Sequence, residues 1–306
     1  MPDYSTAQRF KQLGYPVSLR RAARRKGQAL LDQSWSGSDR VYLGATGVVP
    51  GVWVLKKSAV TGRQPSSTQE KINQLKYREN LRKSQMITKT ILSNHEEWLK
   101  NRKNGIGGSE IAAVIGKNPY MTNVELWELK TGRKEAKDIS NLPYIKYGTQ
   151  AEPLLRELFR LDFPEYQVRY EENNSFRNDK YPWAQASVDG WLFDGDGRLG
   201  IWECKTTNIL NSTMRKKWDD RIPDNYYCQC LLYMAVLEAD FCEVKAQLKS
   251  EYDGKVSFLT KHYHFEREEK VVKEDMEYLM KEGKRFWGYV ERDECPPLIL
   301  PDVIRR

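Results

Sequence analysis

Ser187-Val188-Asp189-Gly190 is followed by Ile201-Trp202-Glu203-Cys204-Lys205, whose Glu203 lies fourteen residues after Asp189. Successive side chains on a strand alternate faces, so Ile201, Glu203 and Lys205 share one face while Trp202 and Cys204 share the other. The spacing predicts a face that does chemistry and a face that packs the core. Between the two segments, Phe193-Asp194-Gly195-Asp196-Gly197 carries two Asp-Gly steps. Such steps mark a hairpin, which folds Asp189 back toward Glu203.

Two carboxylates would then converge beside a lysine. Hard cations such as Mg2+ prefer oxygen ligands and keep several waters, so two or three carboxylates and a phosphate complete a site. Lys205 would sit beside the attacking water. The plainer reading is a solvated strand face with a weak Glu/Lys ion pair.

Two upstream segments bear on the choice. Tyr147-Gly148-Thr149-Gln150-Ala151-Glu152 opens a stretch in which Leu154, Leu155, Leu158, Phe159 and Leu161 recur at helical spacing. The pattern predicts an amphipathic helix with Glu152 in its first turn. Thr149-x-x-Glu152 also fits a capping box, in which the glutamate only closes the helix start. The second segment, Arg102-Lys103-Asn104-Gly105-Ile106-Gly107-Gly108-Ser109-Glu110, runs into an apolar helix over Ile111 to Ile115. Backbone NH groups at that start, with Arg102 and the Ser109 hydroxyl, make a phosphate cradle. Alternatively, Ser109 is simply the N-cap and Arg102 is solvated.

The order Arg-x6-Ser-Glu, Gly-x3-Glu, Ser-x-Asp-Gly, Glu-x-Lys and Tyr-x-x-Gln resembles the YqaJ-like viral recombinase, or lambda-type alkaline exonuclease, branch of the PD-(D/E)xK nucleases. The resemblance runs from about Trp98 to about Leu237. It implies that Asp189, Glu203 and the helix-borne Glu152 bind metal, Mg2+ with Mn2+ as a substitute. It implies that Lys205 is the catalytic lysine, and that Gln229 lies beside the active site. Arg102, Ser109 and Ser187 are then expected to hold a terminal 5' phosphate. Glu110 carries over less directly, as a carboxylate behind the site or a complement to its own helix. The implied activity is a 5'-to-3' DNA exonuclease on duplex ends, leaving 3' tails for a single-strand annealing partner, with a homo-trimer around DNA. An endonuclease of the same fold and a noncatalytic DNA-binding scaffold are the alternatives.

Composition agrees with a nucleic-acid enzyme. The 306 residues are 40% hydrophobic and 30% charged, with 50 Lys+Arg against 42 Asp+Glu. Residues 1–90 hold seventeen basic and five acidic residues, a net of +12, which leaves −4 for the remainder. That asymmetry suits a basic N-terminal extension ahead of a nuclease domain over 91–306. Within the extension, Leu19 to Lys26 and Lys71 to Lys89 read as basic helices, with a Gly/Pro/Ser-rich linker between them. An Arg-rich, acid-poor start also suits an organellar transit peptide, but Asp3 is out of character.

Five cysteines without framework spacing read as thiols, and no apolar run is long enough to span a membrane. A cytoplasmic protein that acts away from membranes is the expectation. His95, His262 and His264 lack zinc-site spacing and read as structural or solvated. Downstream, Glu243–Leu248 and Lys255–Phe265 alternate as strands. Phe265 to Val290 then reads as a charged helix with a stripe of Val271, Met276, Leu279 and Phe286. The predicted fold class is α/β: a restriction-endonuclease-like PD-(D/E)xK core, a central mixed sheet flanked by helices, with the site along one sheet edge.

Overall fold

The computed structural model describes residues 86–301. The basic helix expected at 19–26, the linker and most of the helix expected at 71–89 lie outside the described residues. The end of the latter is a strand. Ile87-Thr88-Lys89-Thr90-Ile91 is β-branched at every position but Lys89, and forms β1 (Ile87–Ile91), antiparallel to β3 (Asn174–Asn178). β1 thereby ties residues 87–90, which the charge count assigns to the extension, to β3 of the following domain in a separate two-stranded sheet.

The expected central mixed sheet is present, with helices on both faces. Its order is β2 (Gln167–Arg169), β4 (Gly190–Phe193), β5 (Leu199–Ile209), β6 (Phe241–Tyr252), β7 (Lys255–Glu266). Neighbours pair antiparallel except β5 and β6, which are parallel. A parallel pair needs a crossover, supplied here by α5 (Ser212–Lys216) and α6 (Asp224–Leu237). Residues Cys228 through Leu237 of α6 are all buried. A helix apolar on every side belongs in the interior, and α6 lies between the sheet and two other helices, α2 (Gly108–Val114) and α7 (Lys270–Glu291).

The opposite face is covered by α4 (Pro143–Asp162), whose Ala151, Leu155 and Phe159 pack on Val168, Leu192, Trp202, Cys204 and Phe241. Ile201 joins the larger core on the α6 side. The expected split into a chemical face and a core face therefore fails for β5, because both faces of this central strand are buried against helices. The site lies on the middle strand, along the edge of β5 that is left unpaired beyond Trp202 where β4 ends.

β6 and β7 exceed their expected lengths and meet at Asp253-Gly254, whose φ values of 49° and 69° form the left-handed turn the Asp-Gly step favours. β7 extends to Glu266, so α7 begins at Lys270 instead of Phe265. Its buried stripe is Val272, Met276, Leu279, Met280, Gly283 and Phe286, while Val271 is exposed. The extended tail after α7 is held by Asn123 at the start of α3 (Asn123–Lys130). Asn123 donates to the Pro297 carbonyl and accepts from the Ile299 amide, as a neighbouring strand would.

Cys204, Cys228, Cys230 and Cys242 are buried free thiols, and Cys295 is exposed. His262 sits against Phe163, 4.9 Å between ring centroids, and burial followed by the Lys245 charge lowers its pKa to about 4. No helix among the described residues is long and apolar enough to cross a membrane.

Candidate active site

The hairpin signal sets the geometry. Asp194 Oδ1 accepts from the Asp196 and Arg198 amides and Gly197 takes φ 76°, closing the turn. β4 and β5 then pair from Phe193↔Leu199 to Gly190↔Trp202. There β4 stops, while β5 continues to Ile209 with β6 on its other side. The result is a notch beside residues 203–209. Asp189, the residue before β4, fills its inner end: its Oδ2 accepts the Cys204 amide at 2.9 Å. The aspartate thus stands beside Glu203 and Lys205, as the spacing predicts.

Glu203 is 1% exposed. Its Oε1 accepts from Lys205 Nζ at 2.5 Å and from Gln229 Nε2 at 2.8 Å. Its Oε2 is buried with no hydrogen-bond partner among the described residues. Burial first, then the Asp189 charge, pushes the Glu203 pKa well above the usual carboxylate value. Burial works against the Lys205 charge, but the Glu203 and Asp189 carboxylates outweigh it and hold the ammonium pKa well up. The charge count adds to burial at Glu203 and overrides it at Lys205. Three carboxylates face two cations, so Lys205 keeps its proton and a surplus of negative charge remains.

The third carboxylate is Glu152, which arrives from the other side of the sheet. Pro143 starts α4 six residues before Thr149, so Glu152 is the tenth residue of the helix and caps nothing. Thr149 Oγ1 donates to the Ile145 carbonyl instead of forming a capping box. Because β4 ends at Gly190, a side chain from α4 reaches the notch from the Trp202/Cys204 face. Arg156, one turn along, pairs with Glu152 through Nη2 and donates from Nε to the Asp189 carbonyl at 2.9 Å. Its guanidinium lies 3.6 Å over the Tyr170 ring. Burial, then the Asp189 charge, raises the Glu152 pKa to about 7 despite this arginine.

The glycine-rich segment closes the cavity opposite. Asn94 caps α1 (His95–Arg102), which carries Trp98 and Arg102 one turn apart. Arg102 Nη2 donates to Ser109 Oγ at 2.8 Å, and its guanidinium lies 4.9 Å over Trp98. Trp98 Nε1 donates to Ser187 Oγ at 3.0 Å. The helix expected over Ile111 to Ile115 is α2, starting at Gly108 with Gly107 as N-cap, so Ser109 is not the cap. Glu110 Oε2 instead accepts the Gly107 amide and Lys130 Nζ, each at 2.8 Å, fixing the loop. Gly108 is needed for close approach. A Cβ there would stand 2.4 Å from the Tyr233 ring and 2.8 Å from Gln229 Cγ.

All eight residues singled out by sequence line one open cavity of about 280 Å3: Arg102, Ser109, Glu152, Ser187, Asp189, Glu203, Lys205 and Gln229. Sequence reading missed four others with a part in it. Trp98 and Arg156 sit four residues from Arg102 and Glu152, a helical pairing legible in principle. Tyr233 accepts from Gln229 at 3.1 Å, and Gln185 holds the Arg102 carbonyl at 2.8 Å. Tyr233 stands four residues from Gln229, the same helical pairing, whereas Gln185 has no local sequence signal.

Among the described residues, no three His, Cys, Asp or Glu side chains are gathered as a finished metal-ligand cluster. The Arg156 guanidinium, the Lys205 ammonium and the Cys204 amide each hold one carboxylate oxygen. The donor set nevertheless suits a hard divalent cation. It is all oxygen, it carries surplus negative charge, and the Glu203 Oε2 atom is buried without a partner.

Residues 97–240 match the family model described as the YqaJ-like viral recombinase domain. The chain is similar to the uncharacterized protein YqaJ of Bacillus subtilis (strain 168), 30% identical over 161 residues. That match covers 52% of this chain and 48% of the relative, so the chain spans about half the relative's length. Among solved structures it is similar to an alkaline exonuclease from Laribacter hongkongensis, at 17% identity and TM-score 0.44 over 65% of this chain and 93% of the other. It is also similar to a phage related exonuclease from Haemophilus somnus 129PT, at 11% identity and TM-score 0.37 over 62% and 96%. The aspartate before β4, the Glu-x-Lys of β5 and the helix-borne glutamate that meet in one cavity all lie within residues 97–240, the segment that matches the YqaJ-like viral recombinase domain.

Proposed function

We propose that this chain is a Mg2+-dependent DNA exonuclease that degrades duplex ends 5' to 3', leaving 3' single-stranded tails for an annealing partner in recombination. The observation that carries the reading is one cavity with two unlike halves, a surplus of carboxylates around Glu203 and a set of phosphate-type donors around Arg102.

Asp189, Glu203 and Glu152 would hold Mg2+, or Mn2+ in its place. Bound there, the ion would polarise the scissile phosphate and stabilise the leaving oxygen. Lys205 stays protonated against Glu203 and presents its remaining donors to water, orienting the nucleophile. Gln229 fixes the Glu203 rotamer. In the other half, Ser109 accepts from Arg102 and Ser187 accepts from Trp98, so both hydroxyl protons are free to donate to a phosphate oxygen. With the Arg102 guanidinium they form a seat for a terminal 5' phosphate, which would set the polarity. A homo-trimer enclosing the duplex and a cytoplasmic site of action belong to the same reading.

The test is digestion of linear duplex DNA with and without a 5' phosphate, beside closed circular DNA, in Mg2+ or EDTA, for wild type and Lys205→Ala. Loss of the 5'-phosphorylated strand alone, abolished by EDTA and by the substitution, is the expected result. Cutting of closed circles would assign an endonuclease instead. DNA binding without metal-dependent cleavage would assign a noncatalytic scaffold.

A further inference from the structure

A glycine inside a helix destabilises it relative to alanine, so one that stays there needs a reason in its surroundings. Gly108 and Gly283 have a packing reason, since a Cβ would stand 2.4 Å from the Tyr233 ring and 2.3 Å from the Trp183 ring. Gly148, in the second turn of α4, has none of that kind. Outside its own stretch of helix, the one described atom within 4 Å of a Cβ there would be Thr206 Oγ1, at 3.2 Å. Gly148 and Thr206 both line the cavity, and the chemistry above uses neither.

The sheet fixes their meeting. Thr206 follows Trp202 and Cys204 at a period of two, on the face of β5 that α4 covers. Gln247 is its partner in the parallel β5–β6 register, and Gln247 Oε1 accepts from the Tyr147 hydroxyl at 2.5 Å. The start of α4 is thereby held over the strand pair at the level of Thr206. Gly148, the next residue, keeps the helix wall open there. It also precedes Glu152 by one helical turn, so the opening adjoins the carboxylates.

The Arg102 seat lies on the other side of β5. Gly108 and Ser109 begin α2, which packs on Gln229 and Tyr233 of α6, and Gln229 holds Glu203 from that same side. Glu152 comes from the α4 side, so the carboxylates stand between the two walls. A strand with its terminal phosphate at Arg102 and its first internal phosphate at the carboxylates has its next phosphate to place against Gly148 and Thr206. One leaves room for a sugar-phosphate backbone, and the other offers a hydroxyl donor to an anionic oxygen. We propose that the gap between Gly148 and Thr206 is the exit by which the nucleic-acid strand leaves the cavity, with Thr206 Oγ1 donating to the phosphate that follows the scissile one. The inference rests on the proposed function and adds to it the path of the strand beyond the reacting bond.

The full-length chain is assayed in Mg2+ on 5'-phosphorylated duplex oligonucleotides that each carry one uncharged methylphosphonate, at successive linkages from the 5' end, and release of the first nucleotide is followed. For wild type, a methylphosphonate at the second linkage is expected to raise KM roughly tenfold, the scale of one hydrogen bond to a charged group. Thr206→Val, which removes the hydroxyl and keeps the branched shape, should raise KM for the unmodified duplex by a similar factor and lose the sensitivity at that linkage. Thr206→Ser keeps the donor and should keep the sensitivity. Gly148→Ala should raise KM while its melting temperature does not fall and its Mn2+ affinity, measured by calorimetry without DNA, is unchanged. Equal sensitivity of wild type and Thr206→Val at every linkage overturns the phosphate contact. A lower melting temperature or weaker Mn2+ binding in Gly148→Ala assigns that glycine to packing and overturns the exit. Both of those results leave the nuclease reading standing, whereas failure of wild type to cleave any DNA overturns the two together.

Discussion

Arg156 joins two carboxylate-bearing segments that are far apart in sequence: its Nε donates to the Asp189 carbonyl at 2.9 Å while its Nη2 pairs with Glu152. The helix-borne acid is thereby fixed against the turn that begins β4. The guanidinium does this from between Tyr170 and Trp202, 3.6 and 5.6 Å from their ring centroids.

Arg156→Met keeps the apolar stem and removes the fork, leaving the Asp189 carbonyl and Glu152 without their donor. The expected cost is about 2 kcal/mol of stability, the scale of a buried acceptor left unpaired. Cleavage should fall at least about tenfold, the scale of a displaced ligand support. Arg156→Lys should restore little, because an ammonium cannot reproduce the planar bidentate geometry. Denaturant melts and cleavage rates check this, and full activity in Arg156→Lys would show that the fork is dispensable.

Gln229→Leu preserves volume and removes the donor to Glu203 Oε1. Mn2+ affinity measured by calorimetry is expected to fall about 10- to 100-fold, as when the partner that orients a metal ligand is lost. Glu203→Gln should weaken it further. Unchanged Mn2+ binding in both variants would remove Glu203 from the proposed metal site.

The carboxylate surplus gives a pH signature without metal. Glu152 is pushed by burial and by Asp189 from an ordinary 4.5 to about 7, and Glu203 moves the same way. Between those values the folded chain binds more protons than the unfolded chain, so stability in EDTA must fall as pH rises. The contribution is greatest below about pH 4.5, is lost through about pH 7, and amounts to at most about 3 kcal/mol for Glu152 before solvent screening of its exposed part. Melting temperatures in EDTA should therefore decline between pH 5 and 7.5, and Mg2+ should flatten the decline. A rise over that interval would contradict the carboxylate surplus.

Gly108→Ala places a methyl group inside the contact distance of the Tyr233 ring. Neither ring nor helix has room to retreat, since Tyr233 is buried in the middle of α6. Overpacking of this kind costs about 1–3 kcal/mol. Displacement of Gln229 should reduce cleavage in the same variant. Thermal melting beside an activity assay checks both, and a fully stable, fully active Gly108→Ala would refute the close approach.

The sequence by itself determined which residues meet. Strand alternation and the Asp-Gly turns bring Asp189 beside Glu203 and Lys205 because both signals are local: a period of two and a turn whose φ angles favour glycine or aspartate. The glycine loop running into a helix was legible for the same reason, and so was the helix of Glu152, although Pro143 moved its start. Burial is not local. Alternation cannot say whether a strand is central, so the helices on both faces of β5, and with them Ile201 and Trp202 in two different cores, came from the parallel β5–β6 pair. The register of α7 against the core, Val272 in place of Val271, was likewise a packing decision. The tertiary structure alone decided that β4 ends opposite Trp202, which opens the notch through which Glu152 reaches Glu203 from the other face. It alone decided that Arg156 reaches the Asp189 carbonyl and that Gln185 belongs to the site, because those partners are distant in sequence and what joins them is buried hydrogen bonding.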